Sequence, residues 1–249
     1  MKTMHAITRR NCLALGAGAA AACFASSARA AVPTNVVVEL FSSQGCSSCP
    51  PGDRLLAELK AAPGVLALTY HVDYWDYLGW KDTLANAEFS QRQYDYAKAR
   101  GDMDVYTPQM IVNGEKAMVG SQRSEIMAVL GQSRRAPWPV DVAISDGVHE
   151  IIIDLGANAG PGEATLWVMP IIDHVAVRIE KGELSGQEIT YQNVVRKLVP
   201  AGMWSGKAQR IVLPKDGLMP AEATACVALL QKNKIGPVLG CASWGSVTS

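Results

Sequence analysis

The sequence predicts an α/β domain built on a mixed sheet, followed by an all-β, sandwich-like domain. Three observations carry that prediction. Over residues 36–130, β-branched apolar runs alternate with segments of helical period. A turn dipeptide, Asn113-Gly114, folds the last two of these runs back on each other. Beyond "GQSRRAPWPV" the helical period gives way to short β-rich runs with turn signals between them. The expected organisation is a first domain at 31–132, a linker at 133–139 and a second domain at 140–249. With 249 residues, 49% of them apolar and 18% charged, the chain can build a sizeable core.

The first thirty residues read as an export signal. Lys2, Arg9 and Arg10 form a basic start, an apolar run extends from Cys12 to Ala25, and Ala28-Arg29-Ala30 supplies an A-x-A cleavage site. The run is shorter than the ~20 residues a membrane-spanning helix needs, so no membrane anchor is expected after cleavage near Ala30. Arg9-Arg10 resembles a twin-arginine signal. The expected location is the periplasm or the exterior. Lys+Arg and Asp+Glu each number 23, and the signal holds only bases, so the remainder is mildly acidic and no nucleic-acid partner is expected.

"NVVVELF" (35–41) is the first strand, and "PPGDRLLAELKAA" follows it as a helix whose prolines sit where no N–H is missed. "VLALTYHV" (65–72) is the second strand, parallel to the first because a helix crosses between them. "NAEFSQRQYDYAKARG" (86–101) is a helix ending at Gly101. "QMIVNGEKAMVG" (109–120) is the hairpin, and "SQRSEIMAVLGQ" (121–132) the last helix. Past the linker the runs "VDVAI", "HEIIIDL", "ATLWVMP", "HVAVRIE", "NVVRKLV", "QRIVLP", "ACVALLQ" and "VLGCASW" each read as a strand.

Four cysteines remain after cleavage: Cys46, Cys49, Cys226 and Cys241. An even count in an exported protein fits disulfides, and the spacing suggests the pairs 46–49 and 226–241. Cys226 and Cys241 lie on the last two strands, where a structural bridge is expected. Cys46 falls in the turn between strand and helix, and Cys49 at the start of the helix. Free N–H groups and the positive end of that helix favour a thiolate at Cys46, which is expected to be an exposed nucleophile. Cys49, covered by the helix, would resolve the mixed disulfide. A CxxC pair opening a helix after a strand reads as redox-active.

"VYTPQMIVNG" places Thr107-Pro108 directly before the hairpin. Here the sequence resembles the thioredoxin-like superfamily. The stretches "VELFSSQGCSSCPPGD", "HVDYWDYLGWKD" and "YTPQMIVNG", with "NVVRKL" and "GPVLGCASWG" downstream, resemble a family of secreted bacterial proteins, domain-of-unknown-function family 1223. The resemblance implies that Pro108 is cis and packs against the CxxC pair, with Thr107 beside the docking strand. It also implies that Glu39 moves protons for Cys49; the competing reading makes Glu39 an exposed edge residue.

The stretch "YHVDYWDYLGW" (70–80) is dense in aromatics. Tyr70 and Trp80 read as packing residues, and Tyr74 and Trp75 as a lip that binds a substrate peptide. Asp73 caps a turn or faces Cys46.

The leading reading is an exported thiol–disulfide oxidoreductase acting on protein or peptide dithiols. Two alternatives stand beside it. One is a copper-binding, chaperone-like protein using Cys46, Cys49 and His71, since soft ligands suit Cu(I). The other is a non-catalytic interaction protein. Asp53, Asp82, Asp102 and Asp104 lack the spacing of a calcium loop, and no Walker, Rossmann or G-x-S-x-G fingerprint is present. No resident metal or cofactor is expected.

Overall fold

Val36–Ser42 (β1) opens with three β-branched valines, is apolar except at Glu39 and Ser42, and lies buried at the centre of the first half of the sheet. The computed structural model describes residues 34–135 and 137–245. The expected export signal and its cleavage site lie outside the described residues.

Pro50–Lys60 (α1) follows β1, with prolines in its first turn as expected. Val65–His71 (β2) pairs with β1 in parallel. Ala87–Arg100 (α2) starts at Asn86, whose side chain accepts a hydrogen bond from Glu88 N, and stops at Gly101 in the left-handed region. Gln109–Val112 (β3) and Lys116–Val119 (β4) form the expected hairpin, with positive φ at Asn113 and Gly114. β3 lies antiparallel to β1 on the side away from β2, and Arg123–Ser133 (α3) closes this half.

Side chains on β1 alternate between two cores. Val36, Val38 and Leu40 face α1 and α3, packing on Leu55, Leu56, Leu59, Ile126 and Leu130. Val37 and Phe41 face the other way, toward Phe89 and Tyr96 of α2.

The second half contains Val142–Asp146 (β5), Glu150–Leu155 (β6), Ala164–Arg178 (β7), Glu188–Val195 (β8), Val199–Trp204 (β9), Gln209–Pro214 (β10), Ala225–Lys232 (β11) and Val238–Gly245 (β12). It is β-only, as expected, but its strands do not form a sandwich of their own. The large sheet runs β12-β11-β7-β8-β2-β1-β3-β4 without a break, and β9 pairs with β7. Among the described residues, only β10-β6-β5 forms a second sheet. It covers one face of β7 and β11, with Ile151, Ile153 and Leu155 packed on Leu166, Val168 and Ala228.

The joint between the halves is β2 beside β8, parallel, with the single register pair Thr69↔Val194. Side chains reinforce it: Thr69 Oγ1 donates to Gln192 O at 2.8 Å, and Asn193 Nδ2 donates to Ala67 O at 2.8 Å. Lys60 at the end of α1 reaches Asp173 and Gln192. The segment expected as a linker is pinned to the N-terminal side of β1. Arg135 N donates to Asn35 O, and Trp138 Nε1 to Thr34 O.

Two strand expectations are corrected. The run at 164–170 and residues 174–178 of the next run are one strand, β7. Pro170 separates them in the sequence because it has no N–H to give. It sits where β7 changes partner, from β9 (through Val168↔Val199) to β8 (from Ile171↔Val195). The run "NVVRKLV", expected as one strand, is divided between the end of β8 and the start of β9.

The expected bridge between Cys226 and Cys241 is also corrected: both are free and buried. β11 and β12 do pair, but Cys241 stands opposite Leu229, and Cys226 opposite Trp244. Three residues separate 226 from 229, so the two thiols point to opposite faces, roughly 10 Å apart along the strands. Cys241 packs in the core shared with α2, and Cys226 in the core under β5 and β6. Burial raises both thiols, that of Cys226 to about 12, and so disfavours their thiolates.

Candidate active site

The turn after β1 is wound so tightly that both cysteines come to one corner. Cys46 N donates to Ser43 O, Cys49 N to Cys46 O, and Gly52 N and Asp53 N both to Cys49 O. Cys46 and Cys49 are joined in a disulfide with their Cα atoms 5.4 Å apart. The Thr107-Pro108 bond is cis, as expected. Cys46 Sγ lies 3.7 Å from Thr107 O, and Ser48 Oγ donates to the same carbonyl at 3.3 Å.

Pro108 is clamped by two glycines that the sequence reading passed over. A Cβ on Gly52 would come within 2.9 Å of Pro108 Cβ, and one on Gly120 within 3.0 Å. Gly120 N also donates to Pro108 O at 2.8 Å. Only a glycine in the first turn of α1 lets the proline approach the disulfide so closely.

Two expectations about Cys46 change. It is not exposed: only 1% of its surface meets solvent. Trp75 covers it. The Trp75 backbone passes over Gly45, where an added Cβ would stand 3.0 Å from Trp75 Cβ, and its indole N–H donates to Thr107 Oγ1 at 2.8 Å. The free helix N–H groups expected to hold a Cys46 thiolate are also missing. Pro50 and Pro51 have none, and those of Gly52 and Asp53 are spent on Cys49 O. The donor within reach is the Ser48 hydroxyl, 3.3 Å from Cys46 Sγ.

Tyr74 and Trp75, read as a peptide lip, are turned inward. The Tyr74 hydroxyl donates to Gln93 Oε1 at 3.0 Å. Asp73 is tied to α2 through Ser90. Tyr70 and Trp80 pack as read: Tyr70 stacks on Phe41, and Trp80 Nε1 donates to Gln44 Oε1. Trp75→Ala is expected to uncover Cys46 and speed reduction of the disulfide by dithiothreitol several-fold at constant pH, since attack on a disulfide depends on access. An unchanged rate in stopped-flow would remove Trp75 as the cover.

Glu39 is neither at an edge nor beside Cys49. It is fully buried on the α2 face of β1, where Arg92 Nε and Nη2 donate to its two oxygens at 2.7 and 3.0 Å and the Tyr96 hydroxyl at 2.6 Å. α1, which carries Cys49, covers the opposite face.

The acid on the cysteine side is Asp53. It lies four residues after Cys49 on α1, hence on the same face one turn on. Asp53 is 5% exposed, and its Oδ1 accepts from Ser42 Oγ at 2.7 Å. Burial pushes its carboxyl up to about 6, against the opposing pull of the Ser42 hydroxyl. The sequence signal was present in the i, i+4 spacing, but an acid in a first helical turn reads as an ordinary partner of the helix dipole.

His71, the proposed copper ligand, is fully buried. Its Nδ1 lies 2.8 Å from Asp82 Oδ2, and its ring meets Tyr191 of β8 edge-on at 4.4 Å. For Asp82, burial alone would raise the carboxyl. The adjacent imidazole, with N–H bonds from Gln44 and Leu84, holds it below the usual range.

The family model described as "Protein of unknown function (DUF1223)" matches residues 37–231. The chain belongs to the DUF1223 family. A crystal structure of a protein from Agrobacterium tumefaciens is 32% identical, with a TM-score of 0.72, covering 86% of this chain and 95% of that one. HBP35 of Porphyromonas gingivalis shares the fold at 13% identity, with a TM-score of 0.57 over 86% of this chain and 76% of its own. No curated protein matches the chain.

Proposed function

We propose that this DUF1223 member is an exported thiol–disulfide oxidoreductase acting on protein or peptide dithiols. The observation that carries this reading is the Cys46–Cys49 pair, at disulfide distance where a strand meets a helix and facing the Thr107 carbonyl. The strand order β2-β1-β3-β4, with helices on both faces, supports the resemblance to thioredoxin-like proteins.

A substrate thiolate attacks Cys46 Sγ. The Cys46–Cys49 bond breaks, its electron pair leaves on Cys49 Sγ, and that sulfur takes up a proton. The substrate's second thiolate then attacks the substrate sulfur of the mixed disulfide and expels Cys46 as a thiolate. The substrate dithiol is oxidised by two electrons, and the cysteine pair is reduced. The same steps in reverse reduce a substrate disulfide. Ser48, which donates to Thr107 O in the oxidised protein, is placed to turn its hydroxyl onto the Cys46 thiolate. Thr107 and Pro108 shape the ledge beside Cys46, and Trp75 must swing aside for a protein substrate to reach it.

The copper alternative needs Cys46, Cys49 and His71 grouped as ligands, and among the described residues no three His, Cys, Asp or Glu side chains are grouped to hold a metal ion. Cys49→Ala tests the oxidoreductase reading. The variant keeps the attacking thiol and loses the resolving one, so it is expected to accumulate mixed disulfides through Cys46. Recovering none from cells in which the variant is folded and exported would overturn the assignment.

A further inference from the structure

Three buried polar atoms without a hydrogen-bond partner come from three different elements of one cluster: Asp53 Oδ2 on α1, His71 Nε2 on β2 and the Tyr191 hydroxyl on β8. Buried polar groups are seldom left so. The cluster is tied to Cys49 through α1. Asp53 is one turn from that cysteine and bonds its carbonyl through the backbone. His71 and Asp82 are close enough to act electrostatically on Asp53, and Asp53 and Asp82 act on Tyr191. The oxidoreductase step places a leaving thiolate on Cys49, which is wholly buried, so the proton it takes up must come from within the protein.

We infer that Asp53 delivers and recovers the proton of Cys49, and that the His71–Asp82 pair, walled in by Tyr191, is a second station that sets when Asp53 holds it. The inference rests on the oxidoreductase reading and adds to it. β8 belongs to the β-rich half, so that half would complete the redox site as well as the sheet. In the reductive direction the Asp53 carboxyl proton moves to Cys49 Sγ as the disulfide opens, leaving a carboxylate. In the oxidative direction that carboxylate takes the proton back as Cys49 attacks.

The groups facing Asp53 are the Ser42 hydroxyl from β1, His71 from β2, Asp82 from the loop before α2, Tyr191 from β8, and Arg54 on its own helix. Their effects have opposite signs: His71 lowers the Asp53 carboxyl and Asp82 raises it.

The test is reduction of the protein's own disulfide by dithiothreitol from pH 4.5 to 8.5, in stopped-flow, expressed per dithiothreitol thiolate. In the wild-type protein the rate is expected to fall as pH rises through about 6. General acids of this kind contribute on the order of 100-fold. Asp53→Asn is expected to be slow throughout, without the inflection. His71→Gln should move the inflection to higher pH, and Asp82→Asn to lower pH. A structural role alone would not move it in opposite directions. An unchanged inflection in Asp53→Asn would overturn the inference, as would shifts of one sign, or none, in the other two variants. The assay needs no biological partner. It therefore stands apart from the Cys49→Ala trap, and partners captured by that trap alongside an Asp53→Asn protein with a wild-type profile would sink the relay alone.

Discussion

Arg92→Met is expected to cost about 3–5 kcal/mol of stability, the usual effect of removing one member of a buried ion pair. Arg92 and Glu39 have side chains 1% and 0% exposed, and Glu39 has no route to water once its partner is gone. Burial alone would weaken the charge on the guanidinium; the carboxylate beside it keeps it firmly protonated. Arg92 also donates to the hydroxyl of Tyr96 and to Gln231 Oε1 on β11, and its guanidinium lies over the rings of Tyr70, Tyr96 and Trp167. One residue of α2 is thus bound to β1, to its own helix and to two strands of the β-rich half. The double variant Glu39→Leu/Arg92→Met should recover most of the loss, because an apolar pair of similar volume replaces the ions without leaving a bare charge. Urea denaturation of the single and double variants measures both. A loss under about 1 kcal/mol in the single variant, or no recovery in the double, would show that the pair does not join the halves as described.

The same pair shows how far the sequence could be read. The acid in the first strand was visible, and so was the helix carrying Arg92, with Asn86 and Gly101 marking its ends. Which face of the sheet each helix covers is set by tertiary packing. The resemblance put Glu39 with the cysteines and the competing reading put it at an edge, whereas its parity with Val37 and Phe41 places it under α2. Pro108 was brought to the corner only by the resemblance to thioredoxin-like proteins, whereas the turn bearing Cys46 and Cys49 was legible because its parts are local: a strand, a turn and prolines opening a helix. What covers the corner was not, since Trp75 meets Thr107 across 32 positions of sequence. The continuous sheet was hidden for a related reason. Its joint is a single parallel register pair between β2 and β8, and no local pattern announces a pairing of strands so distant in sequence. The misplaced bridge at Cys226 and Cys241 followed from treating two adjacent strands as enough, when the register decides which way each thiol points.

Asp53→Asn is expected to stabilise the folded protein by about 3 kcal/mol at pH 8 and by almost nothing at pH 4. The carboxyl ordinarily titrates near 3.8 and is pushed by burial to about 6, and each pK unit corresponds to about 1.36 kcal/mol. The sign follows from proton binding. The folded state holds this proton more tightly than the unfolded chain, so stability from Asp53 is complete below about pH 4 and is lost as pH rises through 6. At pH 8 the wild-type protein carries a buried carboxylate; asparagine carries no charge and can still accept the Ser42 hydroxyl. Chemical denaturation at the two pH values measures the difference. An equal gain at both, or a loss at pH 8, would mean that Asp53 is not the strained acid described. A residue that weakens the fold at neutral pH, where an isosteric amide would not, is hard to explain by packing. It is explained if the same desolvation that strains the fold gives the carboxyl a proton to pass to Cys49. Stability gained and the pH inflection lost in one variant would then have a single cause.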